Sequence, residues 1–328
     1  MQKRRGLIGR RAVLGGLAAG GTSLAMPAIA QAPWPNRPVK IIVPYAPGGA
    51  TDTLARPWAD KLTQAFGQPF VIDNRGGASG TIGAEAAARS APDGYTLLHC
   101  PNSVLCIMPQ LRKMNFDPRK DLVPVGRLGD LHCGFVAVAS LGLNTLAEVV
   151  AYGKKNPSKL AYGSAGLGTS SQLRVEMLKL RTGLDILHVP YRGSADALND
   201  LLSGQVQLMN EIVVLPHVKA GKLKLLCINH ETRHPDFPET LTLTEAGYPD
   251  SDVPIWGSIQ VPTGTPKDII TTLSRKMIEI AKSDDMKRRL REISIICPTQ
   301  TPEEIIAFTE VDFAANGKLI REANVKLE

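Results

Sequence analysis

The sequence predicts an α/β fold of two lobes, on three observations. Strand-like apolar runs alternate with helical ones in the order β-α-β-α-β between residues 39 and 98. The alternation restarts near Phe135. A segment rich in Pro and turn residues, 232–254, is then followed by another strand and more helices, so the C-terminal portion is expected to rejoin the first lobe. Each lobe is expected to be doubly wound, a parallel sheet with helices on both faces.

In the first lobe, Val39-Lys40-Ile41-Ile42-Val43 reads as a buried strand and residues 51–66 as a helix, stopped by Gly67 and Pro69. Phe70-Val71-Ile72 is a second strand and residues 81–89 an alanine-rich helix. The turn Pro92-Asp93-Gly94 leads into a third strand at 95–98. In the second lobe, residues 135–139 form a strand, and Thr145-Leu146-Ala147-Glu148 is a capping box opening a helix to about Lys155. Strands at 160–163, 186–189 and 206–208 alternate with helices at 171–180 and 195–202, and a strand follows at 223–228. Beyond the linker come a strand at 255–261, a helix with Pro266 in its first turn, and a last helix capped by Thr301-Pro302-Glu303-Glu304. The expected division is a leader over 1–30, the first part of domain I over 31–132, domain II over 133–253 and the second part of domain I over 254–328.

Apolar residues make up 43% and charged residues 21% of the 328, the balance of a globular protein rather than of a disordered or disulfide-stapled one. With 7 Phe, 6 Tyr and 3 Trp, stacking platforms for sugars are scarce. The net charge of +7 is concentrated at the N-terminus: Lys3, Arg4, Arg5, Arg10 and Arg11 stand in the first 30 residues without an acid, leaving 33 basic against 31 acidic residues. No basic stripe remains for nucleic acid. Arg10-Arg11 precede an uncharged, Gly- and Ala-rich run, and Ala28-Ile29-Ala30 offers small residues for a signal peptidase. The expected leader is of twin-arginine type, cleaved after Ala30; an uncleaved anchor is the alternative.

The five cysteines, Cys100, Cys106, Cys133, Cys227 and Cys297, are odd in number, and Cys100, Cys227 and Cys297 sit in or beside apolar runs that suit buried thiols. The cysteines and histidines are read as lacking metal-ligand spacings, so no zinc or iron site is expected. There is no Gly-x-Ser-x-Gly elbow and no phosphate-binding GxxxxGK[ST] loop. His99 and His132 are either bases or core residues.

Three loops between a strand and a helix have the composition of an anion cradle. In Pro44-Tyr45-Ala46-Pro47-Gly48-Gly49-Ala50-Thr51-Asp52, glycines let the backbone approach a ligand and the helix aims bare N–H groups at it. Asp52 either offsets the helix dipole or meets a ligand donor. In Asn74-Arg75-Gly76-Gly77-Ala78-Ser79-Gly80, Arg75 is either a ligand cation or a surface partner of a carboxylate. In Gly163-Ser164-Ala165-Gly166-Leu167-Gly168-Thr169-Ser170-Ser171, Ser171 stands where a dinucleotide fingerprint needs its third glycine, and the hydroxyls suit a carboxylate instead. Val189-Pro190-Tyr191-Arg192-Gly193-Ser194 could close the cleft through Tyr191 and the Gly193 amide, or Tyr191 is packing and Arg192 solvated.

In order along the chain, the first two loops, Ile82-Gly83, Pro92-Asp93-Gly94-Tyr95-Thr96-Leu97-Leu98, Tyr162-Gly163-Ser164, Val189-Pro190-Tyr191-Arg192-Gly193, Asp200-Leu201-Leu202-Ser203-Gly204-Gln205-Val206, Ala220-Gly221-Lys222-Leu223, Glu245-Ala246-Gly247-Tyr248-Pro249, Trp256-Gly257 and Pro262-Thr263-Gly264-Thr265-Pro266 resemble Bug-type receptors. These are the extracytoplasmic solute receptors of tripartite tricarboxylate transporters. The resemblance implies a type II periplasmic-binding-protein (Venus flytrap) fold, two α/β domains joined by crossing hinge strands. It also implies a periplasmic, monomeric, non-catalytic receptor without cofactor or metal, taking a small organic anion, a carboxylate, and handing it to membrane permease subunits. Carried over by position, it nominates Pro47, Gly48, Asp52, Ala78, Ser164, Thr169 and Ser170 as ligand-binding, with Tyr191, Gly193 and Asn210 added. Gln172 stands where relatives usually have His, and Gln207 and Asn210 depart from their Gly-Gln-Val-Asp pattern, with Glu211 adding a carboxylate. A sensory receptor presenting its ligand to a membrane kinase is one alternative. An exported hydrolase or isomerase using His99 or Asp52 as base is another.

Overall fold

The computed structural model describes residues 34–248 and 253–327; the expected leader and its cleavage site lie outside the described residues. Two mixed sheets, each flanked by helices, define two lobes.

The first lobe begins with β1 (Val39–Val43), α1 (Ala50–Phe66), β2 (Phe70–Asn74), α2 (Thr81–Ala88), β3 (Thr96–Pro101), α3 (Met108–Leu111) and β4 (Leu122–Leu131). In α1 the buried positions Leu54, Ala55, Trp58, Ala59 and Leu62 recur at helical spacing and form one apolar stripe. The Trp58 indole N–H donates to the Leu128 carbonyl at 2.9 Å, which fixes α1 across β4. Burying each of the large side chains in this stripe stabilises the lobe by about 1.5–3 kcal/mol. The helix ends at Gly67, in the left-handed region with its N–H on the Thr63 carbonyl.

The second lobe holds β5 (Cys133–Val138), α4 (Leu146–Lys155), β6 (Ala161–Ser164), α5 (Ser170–Thr182), β7 (Leu187–Pro190), α6 (Ser194–Ser203), β8 (Leu208–Glu211), α7 (Leu215–Lys219) and β9 (Leu223–Asn229). Its outer core gathers Phe135, Leu160, Tyr162, Val175, Leu178 and Leu208. The chain then returns with β10 (Trp256–Pro262), α8 (Lys267–Lys282), α9 (Asp284–Glu292), β11 (Ile295–Ile296) and α10 (Pro302–Glu322). Of the two capping boxes read from the sequence, Thr301 and Glu304 cap one another reciprocally. Thr145 accepts the Glu148 N–H, but the Glu148 carboxylate takes the Asn144 N–H, one residue before the cap, so that box is not closed.

The sheet orders are β11-β4-β10-β3-β1-β2 and β7-β6-β8-β5-β9. The expectation of parallel sheets is corrected. β1 runs parallel to β2 and β3, and β6 parallel to β7 and β8, but β10 is antiparallel to β3 and β4, and β5 antiparallel to β8 and β9. The reason is the crossover: only His132 separates β4 from β5, and β10 returns between β3 and β4, so β10 in the first sheet and β5 in the second run against both neighbours. The short β11 is also antiparallel to β4. The Leu131 N–H bonds the Ile255 carbonyl at 2.9 Å, joining the two crossing segments side by side. Among the described residues no helix is long and apolar enough to cross a membrane.

β8 lies two residues later than expected. The N–H groups of Gln205 and Val206 fold back onto the Asp200 carbonyl at the end of α6, so the strand starts only at Leu208 and runs through Asn210 and Glu211. β4, β11, α3, α7 and α9 were not anticipated.

Candidate ligand-binding cleft

The C-terminal ends of β1, β3, β6 and β8 and the loops that follow them face one another across the lobes, where open α/β sheets place ligands. The lobes touch along this line. The Ser194 hydroxyl, first residue of α6, accepts the Ala50 N–H of α1 at 3.0 Å, and the Ser170 hydroxyl donates to the Asn102 side-chain oxygen at 3.0 Å.

In the first loop Gly48 takes φ +77°, a turn that no side chain adopts without strain, and its N–H reaches the Asp52 carboxylate at 3.0 Å. Asp52 is 1% exposed and also accepts from Arg56 at 2.7 and 3.1 Å and from the Asn74 amide at 3.1 Å. Burial raises its pKa, but these hydrogen bonds, with that from Arg56 largest, outweigh it and hold the carboxyl below its ordinary value. Both oxygens are therefore committed to donors of this chain. In the second loop Ala78 and Ser79 both sit in the left-handed region (φ 45° and 56°), and the Ser79 carbonyl accepts the buried Tyr45 hydroxyl at 3.0 Å. Arg75 pairs with Asp73 at the surface.

The third loop is wired by hydroxyls. Ser164 meets His188 Nε2 at 2.6 Å and the Gly166 N–H at 3.2 Å. Thr169 donates to the Gly166 carbonyl at 2.7 Å and caps α5 through the Gln172 N–H. The Gln172 side chain takes the Gly168 N–H at 2.6 Å. Gly168 turns at φ +69°, and a Cβ there would run into Met108, Leu111 and Leu327.

Between the loops lies an inner cavity of about 50 Å³. Three helix N-termini open onto it: Ala50 and Thr51 of α1, Ser170 and Ser171 of α5, and Ser194 of α6. Their first-turn N–H groups lack intrahelical acceptors, and each end carries about half a positive charge. Tyr45, His99, Asn102, Ser103 and Glu211 complete its polar wall, and Leu54, Ile255 and Trp256 its apolar one. An outer cavity of about 380 Å³ shares Tyr45 and Ala165 with the inner one and is walled by Ala78, Ser79, Gly166, Tyr191 and Arg192. Burial pushes Tyr45 up to about 12 and His99 down to about 3, so both are neutral near pH 7. Burial also pushes Glu211 up to about 7, against the hydrogen bond from Ser171 and the charge of Arg174.

Of the residues expected to bind ligand, Ser170 faces the inner cavity, and Ala78 and Tyr191 the outer one. Pro47, Gly48, Asp52, Ser164, Thr169, Gly193 and Asn210 line neither. Asp52, Ser164 and Thr169 shape the loops, and the Tyr191 hydroxyl is turned to Asp200 at 2.7 Å. Asn210 lies below the floor, taking Arg174 on its oxygen at 3.1 Å and donating to Asn229. Sequence reasoning missed Asn102 and Ser103, and it placed Ser194 and Tyr45 in candidate loops without giving either a role in the wall. A serine opening a helix right after Gly193, and the polar pair ending β3, were the available signals.

The expectation that no histidines stand at metal-ligand spacing is incorrect at one place. His230-Glu231-Thr232-Arg233-His234 has the His-Glu-x-x-His order of zinc hydrolases. That chemistry needs both histidines on one face of a helix, and here the run is a bend after β9. The His132 ring packs against His230 at 3.7 Å between centroids, and His234 lies 5.5 Å from His132. Among the described residues no three His, Cys, Asp or Glu side chains are placed to hold a metal ion. This cluster borders a separate cavity of about 440 Å³ at the crossover, walled by Lys287, Leu290 and Arg291.

A two-lobed α/β fold with strand ends and helix N-termini gathered in the cleft defines the class of extracytoplasmic solute receptors. Residues 54–325 match the tripartite tricarboxylate transporter family receptor (TctC), and the chain belongs to that family. It is 35% identical over 302 residues to Protein BugT of Bordetella pertussis, covering 90% of this chain and 92% of BugT. It is 37% identical over 273 residues to a UPF0065 protein of Cupriavidus necator, covering 83% of each. Among solved structures, R. palustris Rpa4515 with adipate superposes with TM-score 0.87 at 33% identity, over 89% of this chain and 99% of that one. MatC from Rhodopseudomonas palustris with bound malate superposes with TM-score 0.82 at 29% identity, over 87% and 99%.

Proposed function

We propose that this chain is exported to the periplasm, its leader removed after Ala30, and that it captures a small carboxylate between its lobes for the membrane permease of a tripartite transporter, without catalysing a reaction on it. The observation that carries this reading is the convergence of α1, α5 and α6 N-termini, from both lobes, on one cavity. The adipate of Rpa4515 and the malate bound to MatC support a carboxylate as the ligand class. The division proposed is domain I from 31–132 and 254–328, and domain II from 133–253, with the protein acting as a monomer.

A carboxylate in the inner cavity would meet N–H groups and hydroxyls of both lobes at once, and contacts made only when the lobes are closed shift the equilibrium toward closure. The nearest approach to a hydrolytic pair is Ser164 with His188, but Ser164 is fully buried within its loop and borders neither cavity. The test is isothermal titration of the mature chain with C3–C6 mono-, di- and tricarboxylates. Saturable binding with the acid recovered unchanged is the expected result. Absence of binding by all of them at millimolar concentration refutes the reading, and turnover of any refutes its non-catalytic part.

A further inference from the structure

We propose that Glu211 makes this receptor selective for carboxylates that carry a hydrogen-bond donor, a hydroxyl, amide or ammonium group, over unsubstituted dicarboxylates of the same length. The inference rests on the carboxylate-receptor reading and specifies its ligand.

Glu211 is the last residue of β8, held in register opposite Gly134 of β5, so its side chain has a fixed origin at the floor of the cleft. It is 3% exposed and is the one charged side chain on the wall of the inner cavity among the described residues. Its surroundings stabilise the anion only partly. Ser171 and the Ile212 N–H each donate a hydrogen bond, while the Arg174 guanidinium is turned to the Val253 carbonyl and the Asn210 oxygen, and no ion pair joins it to Glu211. Burial consequently dominates and raises the carboxyl pKa to about 7. The other groups near it, Tyr45 and His99, are neutral near pH 7.

A second observation comes from His99. It is 1% exposed, lies on the same wall, and its Nδ1 has no hydrogen-bond partner. Buried polar atoms are rarely left alone, and the His99 ring, which the Thr51 backbone also holds, leaves one nitrogen on this side of the fold still to be satisfied. The inner cavity thus has two chemical halves. The helix N-termini offer donors to a carboxylate. Glu211 offers a carboxylate acceptor that no cation pairs, and His99 a ring nitrogen without a hydrogen bond. A ligand with a carboxylate and a donor completes both halves, with a charge-assisted hydrogen bond to Glu211. A second ligand carboxylate at the same position would meet Glu211 as a like charge in a dry site, which is how a binding site rejects a near-isostere.

The test is titration calorimetry at pH 8 on the mature chain and on Glu211→Gln. The ligands are succinate, glutarate and adipate, each beside its hydroxy, amino and monoamide counterparts of equal length. The parent is expected to bind at least one donor-bearing acid tenfold or more tighter than its unsubstituted counterpart. Glu211→Gln is expected to lose at least tenfold of that preference while binding the unsubstituted acid as well or better. An ammonium acid ahead of the hydroxy acid marks a cationic donor, and parity marks a neutral one; both support the proposal. An unsubstituted dicarboxylate bound at least as tightly as all its counterparts by the parent overturns it, whether or not the variant folds. So does an unchanged preference in the variant. In either case carboxylates still bind and the receptor reading stands, whereas a parent that binds none of the acids ends both.

Discussion

In the first lobe a single carboxylate ties the cleft loop together: Asp52 holds the Gly48 N–H, the Asn74 amide and Arg56 at once. In the second lobe the equivalent loop contains no charge. Ser164, Thr169, Ser171 and Gln172 pass hydrogen bonds among themselves and to the loop backbone. A charged knot concentrates its contribution in one side chain and makes it sensitive to pH, whereas a chain of hydroxyls spreads a smaller contribution over several. The charged group on the second side, Glu211, is placed at the cavity wall instead of in the loop, with the opposite pKa shift to Asp52.

The largest effect that separates the two lobes is expected from Asp52→Ala. Removing the acceptor strands three donors, two of them partly buried, and a loss of about 2–4 kcal/mol is expected in urea unfolding, with weakened ligand binding. The pH profile sharpens the point. Because the folded Asp52 pKa is depressed, its contribution is present above the ordinary Asp range and lost as pH falls below about 4 through the folded value, and the variant should lack that acid-side step. A variant as stable as the parent at pH 7 removes the distinction between the loops.

Next in size is Glu211→Gln without ligand. The folded pKa is raised to about 7, so the native state binds the extra proton between the ordinary Glu value and 7, and stability falls as pH rises through that window. The variant is expected to gain on the order of 2–3 kcal/mol over the parent at pH 8 and nothing at pH 4, read as paired melting curves. A smaller change is expected from Thr169→Val, which removes the cap of α5 and one link of the hydroxyl chain, at about 1 kcal/mol and with no new pH dependence. Ser194→Ala is expected to cost a similar amount, about 1 kcal/mol, because the freed Ala50 N–H is buried but borders the inner cavity, which has room for a water. Its effect is expected in small-angle scattering, as a larger radius of gyration without ligand, and an unchanged radius counts against the contact as a latch between lobes.

Most regular elements were legible because each lobe repeats a strand, a glycine loop and a capped helix. β4 was not, since Pro124, Gly126 and Gly129 read as a turn. In the fold these residues let neighbours press close, and a Cβ at Gly126 would lie 2.7 Å from Met277. α9 escaped notice because seven of the nine residues of Asp284–Glu292 are charged, and only Met286 and Leu290 face inward. The loops of the cleft could be read locally, but the cavity wall could not. Ser194 meets Ala50 across 144 positions and Ser170 meets Asn102 across 68, pairings that only the closed arrangement of the lobes creates. The His-Glu-x-x-His run shows the converse: a motif present in the letters loses its meaning when the backbone beneath it is a bend.

The contact of Leu327 with Gly168 bears on how this protein can be handled. A purification handle or a surface-coupling linker attached at Leu327 would sit beside the turn that leads into α5. Such a fusion would crowd the second lobe's ligand loop and blunt measured affinities. Attachment at the exposed end of α8, for example at Lys282, leaves that turn untouched and is the sounder choice for immobilised binding assays.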